Sequence, residues 1–306
     1  MREEDGRLDE EGMARLCAGA EGVLATLADP VGGGVLERLA PPLRVVSLFA
    51  VGYDNVDLDA AERLGVTVTN TPGVLSGATA EIALSLLLGL FRRIAEGEAL
   101  LRSGGFRGWE PTLLLGHDLA GKTLGVFGFG GVGQAVAARA AAFGMEILYC
   151  SRGPVPAETE ARLAARRVSF DELIASSDAI TLHAPSTPET RGLFSEAVLR
   201  RMKKGAYFVN TARGPLVDER GLARLLREGH LAGAGFDVYD GEPRVDPELL
   251  AAPRTLLLPH LGSATWETRG RMAELAAEAI LDVLSGRPPA HRVTRRAAAA
   301  AGGETR

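Results

Sequence analysis

The chain has 306 residues, 46% of them hydrophobic and 24% charged, with a formal net charge of -5. That length allows a large core and two domains, while the acidic balance argues against a general nucleic-acid or anionic-membrane surface. The longest apolar stretch, residues 82–91, is too short to span a bilayer.

From the amino terminus, residues 1–16 are charged and helical in character. Short apolar runs at 22–25, 44–49 and 66–69 predict strands, with a helix over 57–64. A long helix is predicted from Thr79 to about Arg102, buried through Ile82, Leu84, Leu87, Leu88 and Phe91. Residues 103–121, punctuated by glycine and proline and carrying Trp109, read as a linking loop. From Lys122 to His260 strands at 124–127, 146–149, 179–183, 206–210, 233–237 and 255–258 alternate with helical segments. Residues 267–284 form a last amphipathic helix, and the alanine-rich tail has little to bury and is predicted to be disordered. This alternation predicts an α/β fold with parallel sheets.

The first chemical signal is Gly128-Phe129-Gly130-Gly131-Val132-Gly133, directly after the apolar run 123–127 and opening a small-residue helix over 134–143. Gly128 permits the tight turn, Gly130 lets a pyrophosphate approach the backbone, and Gly133 lets the helix pack closely on its strand. The helix start, at Gly131 and Val132, offers unpaired N–H groups to phosphates. A second apolar strand follows at the distance a βαβ unit requires, which favours dinucleotide binding over a purely structural turn.

Three further segments follow predicted parallel strands: Asn210-Thr211-Ala212-Arg213-Gly214, Phe236 to Pro243, and Leu258 to Ala264. Strand carboxyl ends are where open α/β sheets place ligand crevices. Arg213 offers a planar fork for a carboxylate. His260 can exchange a proton near neutral pH, and Glu242 beside it would fix the tautomer and favour the imidazolium. Each residue alone is more often an ordinary surface or loop group. Together, next to a dinucleotide fold, they are what reversible reduction of a 2-oxo acid requires.

These segments resemble the D-isomer-specific 2-hydroxyacid dehydrogenase family, from about Gly22 to Val293. The order GFGGVG, NTARG, FDVYDGEP and PHLGSAT follows its pattern, as do FAVGYDNVD (49–57), TNTPGVLSGATAE (69–81) and LHAPSTPET (182–190). The resemblance implies a Rossmann-type doubly wound cofactor domain and a smaller flavodoxin-like α/β substrate domain. The substrate domain would take residues 1–92 and the cofactor domain 93–264, with 265–293 a return helix and 294–306 a disordered tail. It also implies roles. Arg213 would bind the substrate carboxylate and polarise the ketone, His260 would be the acid/base, and Glu242 its partner. Val51 and Gly52 would donate backbone N–H groups to the carboxylate. Thr79 would lie beside the nicotinamide and Asp237 at its carboxamide, with Thr211, Ala212 and Gly262 flanking the cofactor.

Within the family the pattern looks like the glyoxylate/hydroxypyruvate reductase branch. NAD-preferring relatives place an acid where Ser151 stands; Ser151 and Arg152 instead suit a 2′-phosphate. NADP(H) is therefore the expected cofactor, with NAD(H) the alternative if Arg152 only stacks on adenine. No metal is expected. Cys17 and Cys150 form no metal or disulfide pattern, and with Arg2, Glu3, Glu4 and Asp5 leading the chain in place of a signal peptide a cytoplasmic enzyme is expected. The expected partners are a small 2-oxo or 2-hydroxy acid and a second copy of the chain, with no nucleic acid or membrane. The 103–120 loop would lie near the dimer interface, and Trp109 would either reach the neighbouring active site or pack a core.

Two departures stand out. Residues 1–16 offer no apolar run for the strand with which relatives begin, and its loss would leave neighbouring strands with unpaired backbone groups. Gly131 occupies a position where relatives often carry a basic residue near the pyrophosphate. The competing readings are another dehydrogenase of the family (phosphoglycerate, phosphonate or formate type) and a corepressor-like nucleotide sensor.

Overall fold

The computed structural model describes residues 8–294. It divides into two compact units, one running to Leu75 and resuming at Thr265, the other Ser76–Ala264. The first unit begins with α1 (Glu10–Leu16), capped by the Asp9 carboxylate, which accepts from the Gly12 N–H at 2.7 Å. The elements β1 (Gly22–Ala25), α2 (Gly33–Leu39), β2 (Val45–Leu48), α3 (Leu58–Arg63) and β3 (Thr67–Thr69) follow in alternation. β2 is buried along its whole length and pairs in parallel with β1 on one side and β3 on the other. Among the described residues β1 pairs only with β2, and Leu24 on it is exposed.

The second unit contains α4 (Ser76–Phe91), α5 (Ile94–Arg102), β4 (Thr123–Phe127), α6 (Gly131–Ala142), β5 (Glu146–Cys150), α7 (Ala157–Leu163), β6 (Ala165–Arg167) and α8 (Phe170–Ser176). It continues through β7 (Ala179–Leu182), α9 (Glu196–Leu199), β8 (Ala206–Asn210), α10 (Glu219–Arg227), β9 (Leu231–Phe236), α11 (Pro247–Leu250) and β10 (Thr255–Leu257). The sheet is seven-stranded and parallel, in the order β10-β9-β8-β7-β4-β5-β6. The order reverses at β4, which is the switch point of a doubly wound Rossmann sheet. Strand alternation fills both faces. Tyr207 and Val209 pack with α4 and α6 on one side, while Phe208, Ile180, Leu182 and Phe236 pack with α10 on the other.

The chain then returns to the first unit as α12 (Trp266–Leu284) and the short β11 (Arg292–Val293), which runs antiparallel to β3. α12 lies so close to β1 that a Cβ on Gly22 would sit 2.8 Å from Ile280. Arg44, just before β2, donates to the carbonyls of Val283 and Leu284 at 3.0 and 3.3 Å and so satisfies the last turn of α12. The described strands of this unit run in the order β1-β2-β3-β11.

Three expectations change. The long helix from Thr79 is two helices, α4 and α5, broken where Arg93 takes φ 54°. The cause is tertiary: the His117 N–H captures the Phe91 carbonyl at 2.9 Å, and Gly116 approaches so closely that a Cβ would lie 2.1 Å from that oxygen. α4 therefore packs on α6, β8 and β9, and the division falls after Leu75 rather than after residue 92. β6 was not expected. The disorder expected for 295–306 and the charged residues 1–7 lie outside the described residues.

Among the described residues no helix is long and apolar enough to cross a membrane, and no group of three His, Cys, Asp or Glu is placed to hold a metal. Cys17 and Cys150 are free.

Candidate active site

The glycine turn after β4 adopts the geometry its sequence demands. Gly128 has φ 90°, and a Cβ there would meet the backbone of His183 and Ala184 at 2.6 Å. Gly133 would place a Cβ 2.2 Å from the Gly128 carbonyl, so only glycine lets α6 sit on its strand. Gly130, the N-cap, has open space where its Cβ would point, and Gly131 is exposed. The first N–H groups of α6, Val132 among them, thus start beside open space at Gly130, with the Ser76 hydroxyl 2.8 Å from where a Gly131 Cβ would lie. A phosphate group fits this cradle.

At the end of β5, the Ser151 hydroxyl donates to the Gly153 carbonyl at 2.6 Å. Arg167, at the end of β6, donates to the carbonyls of Ser151 and Arg152 at 3.1 and 2.9 Å. Sequence reasoning missed this brace, because β6 carries only one buried residue, Ala165, and shows no hydrophobic run.

After β8, the Asn210 side chain brackets its own loop, its amide donating to the Arg213 carbonyl at 2.9 Å and its oxygen accepting from the Ala212 N–H at 3.0 Å. Thr211 and Ala212 are buried by this arrangement, and Arg213 donates to the Ala212 carbonyl at 2.6 Å. His183, at the end of β7, lies between the hydroxyls of Thr181 and Thr211 at 2.9 and 3.3 Å. Desolvation pushes its imidazole down to about 3 and keeps it neutral. The signal available in sequence was a histidine ending a fully buried strand.

After β10, His260 takes φ 57°, a left-handed conformation rare outside glycine. Asp237, at the end of β9, holds this conformation. Its two carboxylate oxygens accept from the Leu261 and Gly262 N–H groups at 2.6 and 2.7 Å. Asp237, expected at a nicotinamide carboxamide, is buried and has this structural duty first. Burial pushes its carboxyl up, against the pull of the Leu261 amide and the His260 charge. The buried Thr79 hydroxyl donates to the Gly262 carbonyl at 3.0 Å, which joins α4 to the same loop.

So fixed, His260 presents Nδ1 to Glu242 Oε2 at 2.9 Å. The other carboxylate oxygen of Glu242 accepts from the Tyr239 N–H at 2.9 Å, and the Tyr239 phenol donates to the Leu258 carbonyl at 2.8 Å. Burial works to raise the Glu242 carboxyl. The His260 hydrogen bond, the Tyr239 amide and the charges of His260 and Arg213 outweigh it and hold Glu242 below the usual carboxylate range. Arg213, Glu242 and His260, drawn from three loops, thus share one electrostatic neighbourhood at the carboxyl ends of β8, β9 and β10.

The first unit carries Val51 and Gly52 just beyond β2. The Val51 carbonyl accepts from the Asn70 amide at 2.7 Å, and Thr71 donates to the Ala50 carbonyl at 2.9 Å, which fixes the turn. Trp109 is 83% exposed and packs no core of its own chain.

A glycine cradle for a dinucleotide and an Arg–Glu–His set on one Rossmann sheet narrow the possible relatives sharply. Residues 84–262 match the family model described as D-isomer specific 2-hydroxyacid dehydrogenase, NAD binding domain. The chain is 44% identical over 279 residues to the glyoxylate reductase of Thermococcus litoralis, covering 90% of this chain and 84% of that one. It is 40% identical over 284 residues to the glycerate dehydrogenase of Hyphomicrobium methylovorum, covering 92% and 88%. The crystal structure of the TT0316 protein from Thermus thermophilus superposes with a TM-score of 0.88 at 46% identity, over 94% of this chain and 90% of that one. The chain belongs to the D-isomer specific 2-hydroxyacid dehydrogenase family and is an enzyme with a nicotinamide cofactor.

Proposed function

We propose that this enzyme reduces a small 2-oxo acid, glyoxylate or hydroxypyruvate, to the D-2-hydroxy acid. The observation that carries the reading is the His260–Glu242 pair at 2.9 Å with the Arg213 charge beside it, in the same unit as the dinucleotide cradle. Relatives named glyoxylate reductase and glycerate dehydrogenase support the substrate class. The unit Ser76–Ala264 would be the cofactor domain, and the other unit the substrate domain.

Each side chain has one task in this reading. Arg213 grips the substrate carboxylate and polarises the neighbouring carbonyl. The family resemblance alone implies a carboxylate-binding role for the Val51 and Gly52 N–H groups. His260, charged and steadied by Glu242, gives its proton to the carbonyl oxygen as the alkoxide develops. The cofactor, when bound, supplies the hydride to the carbonyl carbon. Gly128, Gly130, Gly131, Val132 and Gly133 would hold its pyrophosphate. Thr79, Thr211, Ala212, Asp237 and Gly262 would seat its nicotinamide end, Asp237 using the lone pairs its loop amides leave over.

The preferred cofactor is NADPH. Ser151 and Arg152 follow β5 where NAD-preferring relatives carry an acid, and a hydroxyl next to a guanidinium on a turn braced by Arg167 suits a 2′-phosphate. The functional form is a homodimer. α5 buries none of its residues, and Ile94, Leu101, Phe106, Trp109 and Leu115 are all exposed along α5 and the following loop.

One assay tests the reading: absorbance loss of NADPH and NADH with glyoxylate, hydroxypyruvate and pyruvate in parallel. Turnover of glyoxylate or hydroxypyruvate with NADPH favoured is expected. No turnover of any of the three removes the substrate class, and equal efficiency with NADH removes the cofactor preference.

A further inference from the structure

The turn that carries Glu242 is held by a group outside the proton-transfer pair. Glu219 opens α10 and is only 6% exposed. Its Oε1 accepts from the Asp240 N–H at 2.8 Å, two residues before Glu242. The same turn is pressed from the Arg213 loop. A Cβ on Gly214 would lie 1.9 Å from the Tyr239 carbonyl carbon and 2.1 Å from the Asp240 nitrogen. The backbone from Arg213 to Glu219 therefore touches the Tyr239–Glu242 turn twice, through bare glycine backbone and through a carboxylate clamp.

We propose that Glu219 is a positioning residue for the acid/base pair, holding the Tyr239–Glu242 turn in the register that brings Glu242 Oε2 to His260 Nδ1. This rests on the assignment of His260 and Glu242 made above and adds a residue that touches neither substrate nor cofactor. The clamp explains why a carboxyl group is kept in a costly place. Burial pushes Glu219 up to about 7, the Asp240 N–H pulls the other way, and the charges of Asp240, Asp246 and Glu242 push it up further. The turn it holds must keep Glu242 aimed, since Glu242 answers to His260 and Arg213 on its other side.

The test uses purified full-length enzyme and pH profiles of glyoxylate reduction by NADPH. Reduction needs His260 protonated, and an imidazole that loses its carboxylate partner holds its proton less firmly. Glu219→Ala is therefore expected to lower kcat by about tenfold and to move the basic limb of the profile to lower pH by roughly half a unit or more. The KM for NADPH should stay unchanged, because the glycine turn is elsewhere in the unit. Glu219→Gln, which loses the charge but keeps an acceptor oxygen, should recover much of kcat and restore the position of the limb. Should Glu219→Ala not fold, Glu219→Asp carries the same expectation, since its carboxylate is one methylene short of the Asp240 N–H.

A general loss of stability with the basic limb in place would overturn the proposal, as would equal effects of the alanine and glutamine variants. His260→Ala in the same series separates the two levels. If it retains turnover, the acid/base assignment fails. If it abolishes turnover while Glu219→Ala and Glu219→Asp behave as wild type, only the positioning role fails.

Discussion

Two stretches of the Ser76–Ala264 unit sit at opposite extremes of self-sufficiency. In the loops after β8, β9 and β10, most polar groups near the reacting residues have a partner within the chain: Asp237 on the Leu261 and Gly262 amides, Asn210 on Ala212 and Arg213, Tyr239 on Leu258. Along α5 and the loop to His117 it is the apolar side chains that lack cover. Leu101 is 63% exposed and Trp109 83%, and α5 buries nothing. The contrast teaches where each region finds its order. The first is preorganised by its own hydrogen bonds, so its chemistry is written into one chain. The second presents apolar surface that water does not favour, which the proposed homodimer would cover.

The sharpest way to break this contrast is to remove the group the first region exists to hold. His260→Ala should cut kcat by roughly 10²–10⁴-fold while leaving NADPH binding, read by fluorescence titration, near its original strength. A variant with near-normal turnover would make the elaborate loop a structural ornament. Arg213→Gln should fall next, damaging kcat and KM together because the guanidinium serves both ground-state binding and the developing oxyanion. A change confined to KM would leave it a binding group only.

The second region is tested by charge. Leu101→Asp combined with Trp109→Glu should convert a dimer to a monomer in sedimentation velocity, while the hydrogen-bonded loops keep their fold. If the wild-type chain already sediments as a monomer, the exposed stripe has another explanation. A smaller effect is expected of Tyr239→Phe. The phenol joins the Glu242 turn to the strand exit two residues before His260, and its loss should cost about 1 kcal/mol of stability, measured by urea unfolding. An unchanged midpoint would mean that the Leu258 carbonyl finds water instead.

The same contrast governs what could be read from sequence. Glycines with a steric reason were legible, because Gly128 and Gly133 fail with any side chain and their spacing is fixed by the turn. Arg213, Glu242 and His260 could be picked out as candidates because each follows a strand, and the resemblance put all three in order. What the sequence could not express were constraints imposed across the fold. Nothing local at Arg93 predicts a helix break; it follows from His117, 24 positions on, taking the Phe91 carbonyl. That break and the packing of α4 on β8 and β9 moved the division between units. The hold of Asp237 on Leu261 and Gly262 was not legible, because those partners are backbone amides without any signature. Glu219 carried no sequence signal of its own: it opens α10, and its hold on Asp240 depends on two loops meeting.

Glu219 also allows the smallest and most sign-specific prediction. Its folded carboxyl is raised by burial to about 7 from an ordinary 4.5. A carboxyl with a raised folded value costs nothing below about pH 4.5, where both states are protonated. As pH rises towards 7 the unfolded chain ionises first, so the native state loses stability over that window and carries a constant deficit above it. Glu219→Gln keeps an acceptor for the Asp240 N–H and has no charge to desolvate. The two proteins should therefore melt together near pH 4.5. The glutamine variant should be the more stable above pH 7, by on the order of 1 kcal/mol after allowing for partial solvent screening. Calorimetry at both pH values reads the difference directly. A wild type that stays the more stable at pH 8 would mean that the ionised clamp contributes more through its hydrogen bond than burial takes away, and the turn beside His260 would then be held by charge rather than by shape.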